Sequence, residues 1–196
     1  MPFTLNAPVT HEQDIKKSRF IAYAAPIASE EEAKAFLAEN SDPSATHNCW
    51  AWRLGPAYRF SDDGEPSGTA GKPMLQAIDG QELDGVVVLV IRFFGGILLG
   101  SGGLMRAYGG TTAQALRLGE KTEIIPLVTG DLACTFSDLA LVKARLQAIQ
   151  HLSLVEHFEA DGVRFDVTLK RGDEAMVQRL VQDLTSGRSH LRFPDP

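Results

Sequence analysis

Arg92-Phe93-Phe94-Gly95-Gly96-Ile97-Leu98-Leu99-Gly100-Ser101-Gly102-Gly103-Leu104-Met105-Arg106-Ala107-Tyr108 is the stretch on which the fold turns. Just before it, Val86-Val87-Val88-Leu89-Val90-Ile91 is too β-branched for anything but a buried strand. At its end, Leu104, Ala107, Ala113 and Leu116 recur at helical spacing. Between strand and helix lie Gly95, Gly96, Gly100, Gly102 and Gly103. Glycine costs backbone entropy, so this density implies positive φ angles or close backbone approach. A glycine-rich turn at a helix start leaves amide N–H groups free and suits an anion. It suits equally well a tight turn that lets the helix lie flat on a sheet. On the first reading the anion site comprises these five glycines with Ser101, and with Lys72, Arg92 and Arg106 as its cations.

Working outward toward the N-terminus, residues 16–27 read as a strand that starts with the basic cluster Lys16, Lys17 and Arg19. Ser29, with Glu32 at capping-box distance, predicts a helix that ends by Asn40, before Asp42-Pro43. Residues 45–54 alternate as a second strand. Gly55-Pro56 breaks it, and Tyr58 to Ser61 returns as a hairpin. The loop Asp62 to Pro73 follows, dense in carboxylates, glycines and hydroxyls. Ser67 or Thr69 is positioned to cap a helix that closes at Gly80 and crosses over to the 86–91 strand. Beyond the central loop the helix runs toward Leu118 and Gly119, with a bend expected at Gly109-Gly110. Glu123 to Val128 supplies a last strand and a connection.

At Thr129-Gly130 the pattern restarts, which divides the chain into domains 1–129 and 130–196. Residues 131–136 alternate as a strand, and Ser137 or Asp138 caps a helix with Leu139, Val142, Leu146 and Ile149. Two strands, 152–159 and 163–170, flank the turn signal Asp161-Gly162. Asp173 caps another helix, ended by Gly187, and residues 190–193 form a short final strand. The order β–α–β–β–α–β in about 65 residues is the split βαβ, ferredoxin-like arrangement. The fold class expected is therefore α+β.

The chain of 196 residues carries a net charge of −6. Residues 1–129 hold 11 Lys and Arg against 15 Asp and Glu; the remainder holds 8 against 10. Neither part is a basic nucleic-acid domain, so any RNA contact needs local segregation of charge. No run is long enough for a membrane span and no signal-peptide pattern opens the chain. Cys49 and Cys134 read as reduced thiols in a cytoplasm.

Several chemistries compete for the remaining polar residues. Asp62, Asp63 and Glu65, with His47, present oxygen and nitrogen ligands, but their spacing matches no calcium loop, so no metal and no cofactor is expected. His47 and Cys49 lie on one face of a strand, where side chains run parallel rather than toward each other. That geometry disfavours a Cys–His nucleophile. Leu99 to Leu104 loosely resembles the glycine-serine phosphate loop of small-molecule kinases of the galactokinase and homoserine kinase type, yet the chain lacks the length for their substrate half. Arg92 and Arg106 bracket the central loop and are expected either to pair with Asp62, Asp63 or Glu65 or to hold a ligand.

Ser61 to Gly71, with Arg92 to Gly100, Gly102 to Leu104 and Arg106-Ala107-Tyr108, strongly resembles the motifs of the IMPACT/YigZ family. Lys17 to Phe20 and Ala45 to Cys49 resemble family positions in the same order. His47, Asp62, Asp63, Glu65, Ser67 and Thr69 are the motif-loop residues this resemblance carries. It implies a ribosomal protein S5 second-domain fold for the first part, and a domain similar to a terminal domain of elongation factor G for the second. It also implies a cytoplasmic, non-enzymatic role in or near translation, with RNA, the ribosome or protein partners of translation control. No membrane partner and no DNA specificity are expected. Eukaryotic relatives regulate translation with an additional domain that has no counterpart in these motifs. An RNA-binding face would draw on Lys16, Lys17, Arg19 and Arg59, and on Lys170, Arg171, Arg188 and Arg192. The competing expectation is an enzyme or sensor of a small phosphorylated ligand at loop 95–103.

Overall fold

The computed structural model describes residues 2–194. The apolar run becomes the central strand of a five-stranded sheet because it can be covered from both sides. In chain order the first unit contains β1 (Phe3–Leu5), β2 (Val9–Ile15), β3 (Ser18–Pro26), α1 (Glu30–Asn40), β4 (His47–Leu54) and β5 (Ala57–Ser61). Next come α2 (Gly71–Asp79), β6 (Val86–Phe93), α3 (Ser101–Leu118) and β7 (Lys121–Glu123). The large sheet runs β2-β3-β6-β4-β5, all neighbours antiparallel. The strands β5 and β6 both flank β4 and so run parallel to each other, joined by the α2 crossover. A separate ribbon pairs β1 with β7.

Side chains alternate across the sheet and fill two cores. Val86, Val88 and Val90 pack with Phe20, Met74, Ile78, Leu104 and Tyr108 beneath α2 and α3. Val87 points the other way, with Trp52, Ala25 and Ala33 under α1. Tyr108 meets Phe20 edge to face at 5.3 Å between ring centroids, a pairing that contributes about 0.5–1.5 kcal/mol beyond area burial. The helix α1 starts as its sequence predicts: Ser29 Oγ accepts from Glu32 N at 3.2 Å, and Glu32 accepts from Ala28 N.

Three local expectations need correction. The helix α3 runs unbroken through Gly109-Gly110. A β-carbon on Gly109 would lie 3.4 Å from the Pro73 carbonyl, so the glycine there serves close packing on α2 rather than a bend. Neither Ser67 nor Thr69 caps α2; the N-cap is Ala70, without a side-chain bond. The division of the chain falls between Ile124 and Ile125, not at Thr129-Gly130. Those two residues sit inside a strand, opposite Thr168 and Val167. Gly130 is small because Arg192 O and the Phe193 ring occupy the space of its β-carbon.

The second unit contains β8 (Leu127–Thr135), α4 (Phe136–Gln147), β9 (Ser153–Phe158), β10 (Gly162–Lys170), α5 (Glu174–Leu184) and β11 (Leu191–Arg192). Its antiparallel sheet is ordered β11-β8-β10-β9. Its core gathers Leu132, Phe165, Val167, Val142, Leu146, Val177 and Val181. The cap of α4 is Thr135 rather than Ser137 or Asp138. Asp138 is instead held by Arg188 through two contacts, at 3.0 and 2.8 Å, which keeps its carboxyl below the usual range. The fold is thus a mixed α and β architecture in two units.

Candidate functional site

The 62–71 loop is built around one carboxylate. Asp62 accepts from Gly68 N at 2.7 Å, Ala70 N at 3.0 Å and Gly71 N at 2.8 Å. It therefore caps α2 from eight residues upstream, satisfying first-turn amides that no local side chain reaches. Thr69 Oγ1 donates instead to Pro66 O. Glycine stands at position 71, the first residue of the helix, because the Ser61 backbone crosses where a β-carbon would stand. Asp63, at φ 41°, turns back so that its carboxylate accepts from Asn48 N and its carbonyl accepts from His47 Nδ1–H at 2.7 Å.

Glu65 is buried, and it links this loop to the sheet and to α3. One carboxylate oxygen accepts from Arg92 Nη1 at 2.5 Å and from Tyr108 Oη at 2.7 Å, with His47 Nε2 at 3.8 Å. Arg92 Nη2 reaches Ser18 Oγ at 3.3 Å, and its guanidinium lies 5.4 and 5.5 Å from the Phe20 and Phe94 rings. Its Nε–H is buried without an acceptor among the described residues. Cys49 Sγ donates to Asp62 O at 3.0 Å. Burial above all, with the Glu65, Asp63 and Asp62 carboxylates behind it, pushes the Cys49 thiol up to about 12 against a smaller opposing effect of Tyr108. Burial likewise raises the Tyr108 phenol. A thiol so firmly protonated is no nucleophile at neutral pH.

These pieces frame a pocket of about 380 Å³. Its polar wall is His47, Glu65, Arg92, Gly100 and Ser101; its apolar wall is Phe94, Leu98, Leu99 and Leu104. The motif loop and the glycine loop therefore meet at the end of β6. Gly95 belongs to the scaffold of that end, its backbone pressed against the Lys17 carbonyl, and Gly96 is an exposed residue of the loop at φ 85°. Gly100, at φ 72°, is the N-cap of α3, with Gly102 and Gly103 in its first turn. Arg92 pairs with Glu65 as one of the expectations had it. Arg106 is exposed and pairs with none of Asp62, Asp63 and Glu65; its Nη1 lies 3.5 Å from where Gly102 would carry a β-carbon. Lys72 lies away from this pocket, beside Arg53, Tyr58 and Phe60. Ser67 is exposed and outside it. Asp62 and Glu65, the carboxylates weighed in sequence against a metal site that was not expected, are committed to amides and to Arg92.

Within neither unit do the basic residues form one face. Lys16 and Lys17 form the β2–β3 turn, both at positive φ and exposed, without an ion pair among the described residues. Arg19 is bound bidentately by Glu12 at 2.6 and 2.9 Å. Arg59 lies on β5 at the opposite edge of the sheet, 3.5 Å from Glu30. Arg19 is level with Phe93, whereas Arg59 pairs with Trp52, which is level with Val87. In the second unit Lys170 and Arg171 lie where β10 meets Leu127, while Arg188 sits near Thr135 and Gly162 at the other end. Arg192 is on the edge strand β11. Backbone register separates what the sequence grouped by charge alone.

Tyr108 and Ser18 are members of the buried network that sequence reasoning left without a role. Both stood inside the quoted motifs, but a hydroxyl in a motif says nothing of its partner until the sheet is assembled.

The sequence from residue 16 to 116 matches the model of the Impact N-terminal domain family. A Thermus thermophilus protein described as an IMPACT family member in the pol 5′ region is 50% identical over 175 residues, which cover 89% of this chain and 97% of that one. The Escherichia coli IMPACT family member YigZ is 45% identical over 147 residues, 71% of this chain and 72% of that one. A solved structure described as a hypothetical protein superposes with a TM-score of 0.67 at 37% identity, covering 98% of this chain and 97% of its own. The family model spans the strands and loops that build the pocket, and the similarity to the Thermus protein and the solved structure continues through the second unit: the chain belongs to the IMPACT family.

Proposed function

We propose that the protein is a translation-associated regulator that acts by binding structured RNA of the translation machinery, without catalysis, in the cytoplasm. One observation carries this reading. The β2–β3 turn is seated on Gly95, so Lys16 and Lys17, free of ion pairs among the described residues, share one end of the sheet with the first turn of α3 and Arg106. Unpaired cations beside a helix N-terminus favour a phosphate backbone even on an acidic chain. The family resemblance supports the same direction, as do two finer fold readings. The first unit is read as the S5 second-domain type. The second is read as ferredoxin-like, from its β–α–β–β–α–β order with β8 and β10 central. The open face of that second sheet presents ion pairs such as Arg164 with Asp131 rather than aromatic platforms, so stacking of unpaired bases there is not part of the reading.

The test is co-sedimentation with ribosomes, and anisotropy with a hairpin RNA, across a salt series. Each phosphate contact adds close to one unit to the salt slope. The Lys16→Glu, Lys17→Glu, Arg106→Glu triple variant is expected to lose binding and flatten the slope. Arg59→Glu, at the far edge, is expected to leave both unchanged. Equal loss in the two variants, or no binding at low salt, ends this reading.

A further inference from the structure

We propose that the pocket beneath residues 94–100 binds a small phosphate monoester with a flat or apolar body, a nucleoside 5′-monophosphate being the class to test. This site shares the first turn of α3 with the proposed RNA face but takes its ligand in the pocket, so it does not depend on RNA binding at the lysine turn.

The polar end is a prepared anion cradle. Gly100 enters α3 at φ 72°, and Ser101, Gly102 and Gly103 open the helix with no acidic residue in its first turn. Their amides have no intrahelical acceptor, and three converging N–H groups match the three free oxygens of a monoester. His47 also lines this end, but with its Nδ1–H spent on the Asp63 carbonyl and Nε2 3.8 Å from Glu65 the neutral ring adds no donor for the anion. The independent sign is Arg92. It is 4% exposed, it lines the pocket, and its Nε–H has no acceptor among the described residues. A buried donor left unpaired costs about 1–3 kcal/mol, which an oxygen-rich ligand relieves. The nearby acids do not oppose an anion: Asp62 faces the α2 amides, Asp63 faces Asn48 N, and Glu65 is neutralised by Arg92.

The other end asks for an apolar body. Leu98 is 83% exposed and Phe94 44%, both on the pocket wall. Their segment lies between Gly96 and Gly100, both at positive φ, conformations that glycine adopts without strain. The volume of about 380 Å³ lies in the range of small-molecule sites, about 300–1,000 Å³.

The experiment is calorimetric titration and thermal shift with adenosine 5′-monophosphate, adenosine, inorganic phosphate, and a short RNA bearing either a 5′-phosphate or a 5′-hydroxyl. The monophosphate is expected to bind at least about tenfold tighter than either part alone, since adenosine lacks the charge-assisted hydrogen bonds and inorganic phosphate lacks the apolar body. Ser101→Asp is expected to weaken it by about tenfold while the free protein melts no lower, because a carboxylate in the first turn suits the helix dipole. Binding by the free nucleotide alone assigns the ligand to small metabolites; binding by the 5′-phosphorylated RNA alone assigns it to RNA ends. Either result supports the site. Absence of binding by every monoester at millimolar concentration overturns it. So does an unchanged affinity for the monophosphate in Ser101→Asp.

Discussion

The Lys17 carbonyl occupies the space that a side chain on Gly95 would need. This contact holds the β2–β3 turn against the end of β6, and with it one wall of the candidate site. Gly95→Ala is therefore expected to destabilise the first unit by about 1–3 kcal/mol, as overpacking of a filled space does. Gly102→Ala, where a β-carbon meets only the end of the Arg106 side chain at 3.5 Å, is expected to cost far less. Urea denaturation of both variants checks this; similar midpoints would refute the close contact.

Removing one half of the Arg92–Glu65 pair leaves a buried charge without a partner. Arg92→Met is expected to cost about 3–5 kcal/mol, and Glu65→Gln to be damaging as well. The double variant Arg92→Met, Glu65→Leu should recover part of the loss, because no charge then remains to be buried. A double-mutant cycle by chemical denaturation measures the coupling, and additive effects would contradict the pair.

Asp62 is the cap that α2 cannot supply for itself. Asp62→Ala is expected to cost more than the usual cap, above about 1–2 kcal/mol, since three amides lose their acceptor. Thr69→Val removes only a bond to Pro66 O and should cost less. Thermal melts that rank the two in the opposite order would move the cap back to the local residues.

The Cys49 thiol gives an alkaline limit. Its value is raised by burial from about 8.5 in an unfolded chain to about 12 in the fold. A raised acid binds its proton more tightly when folded. Its contribution is thus complete below about pH 8.5 and is lost as pH climbs toward 12. Stability should fall over that range, and Cys49→Ala should flatten the early part of the fall. A thiol reagent should meanwhile label Cys49 only as fast as the first unit opens. Rapid labelling of the native protein at pH 8 would contradict the burial.

What the sequence disclosed followed range. The capping of α1 by Ser29, the hairpin across Gly55-Pro56 and the strand β6 all depend on neighbours a few residues apart, and were legible. The strand β2 was not, for its Val9-Thr10-His11-Glu12-Gln13-Asp14-Ile15 has few apolar positions and ends in a turn of two lysines rather than glycine or asparagine. The ribbon of β1 with β7 joins residues more than a hundred apart. The meeting of the two motif loops was inferable from the crossover. The partners Tyr108 and Ser18, and the scatter of the basic residues, depend on strand register, which charge and composition do not encode.

The central place of β6 also dictates an order of events. The hairpins β2–β3 and β4–β5 each form from adjacent sequence, but they share no hydrogen bonds with one another; each pairs only with the middle strand. A nascent chain that stops at Asp84 thus holds two ribbons with open inner edges and nothing to join them. Closure waits for residues 86–93, and the cover of that core waits for α3. Vectorial synthesis of this chain leaves its first unit unsealed until more than half of the polypeptide has been made, and then completes the sheet by insertion at its middle rather than by growth at its rim.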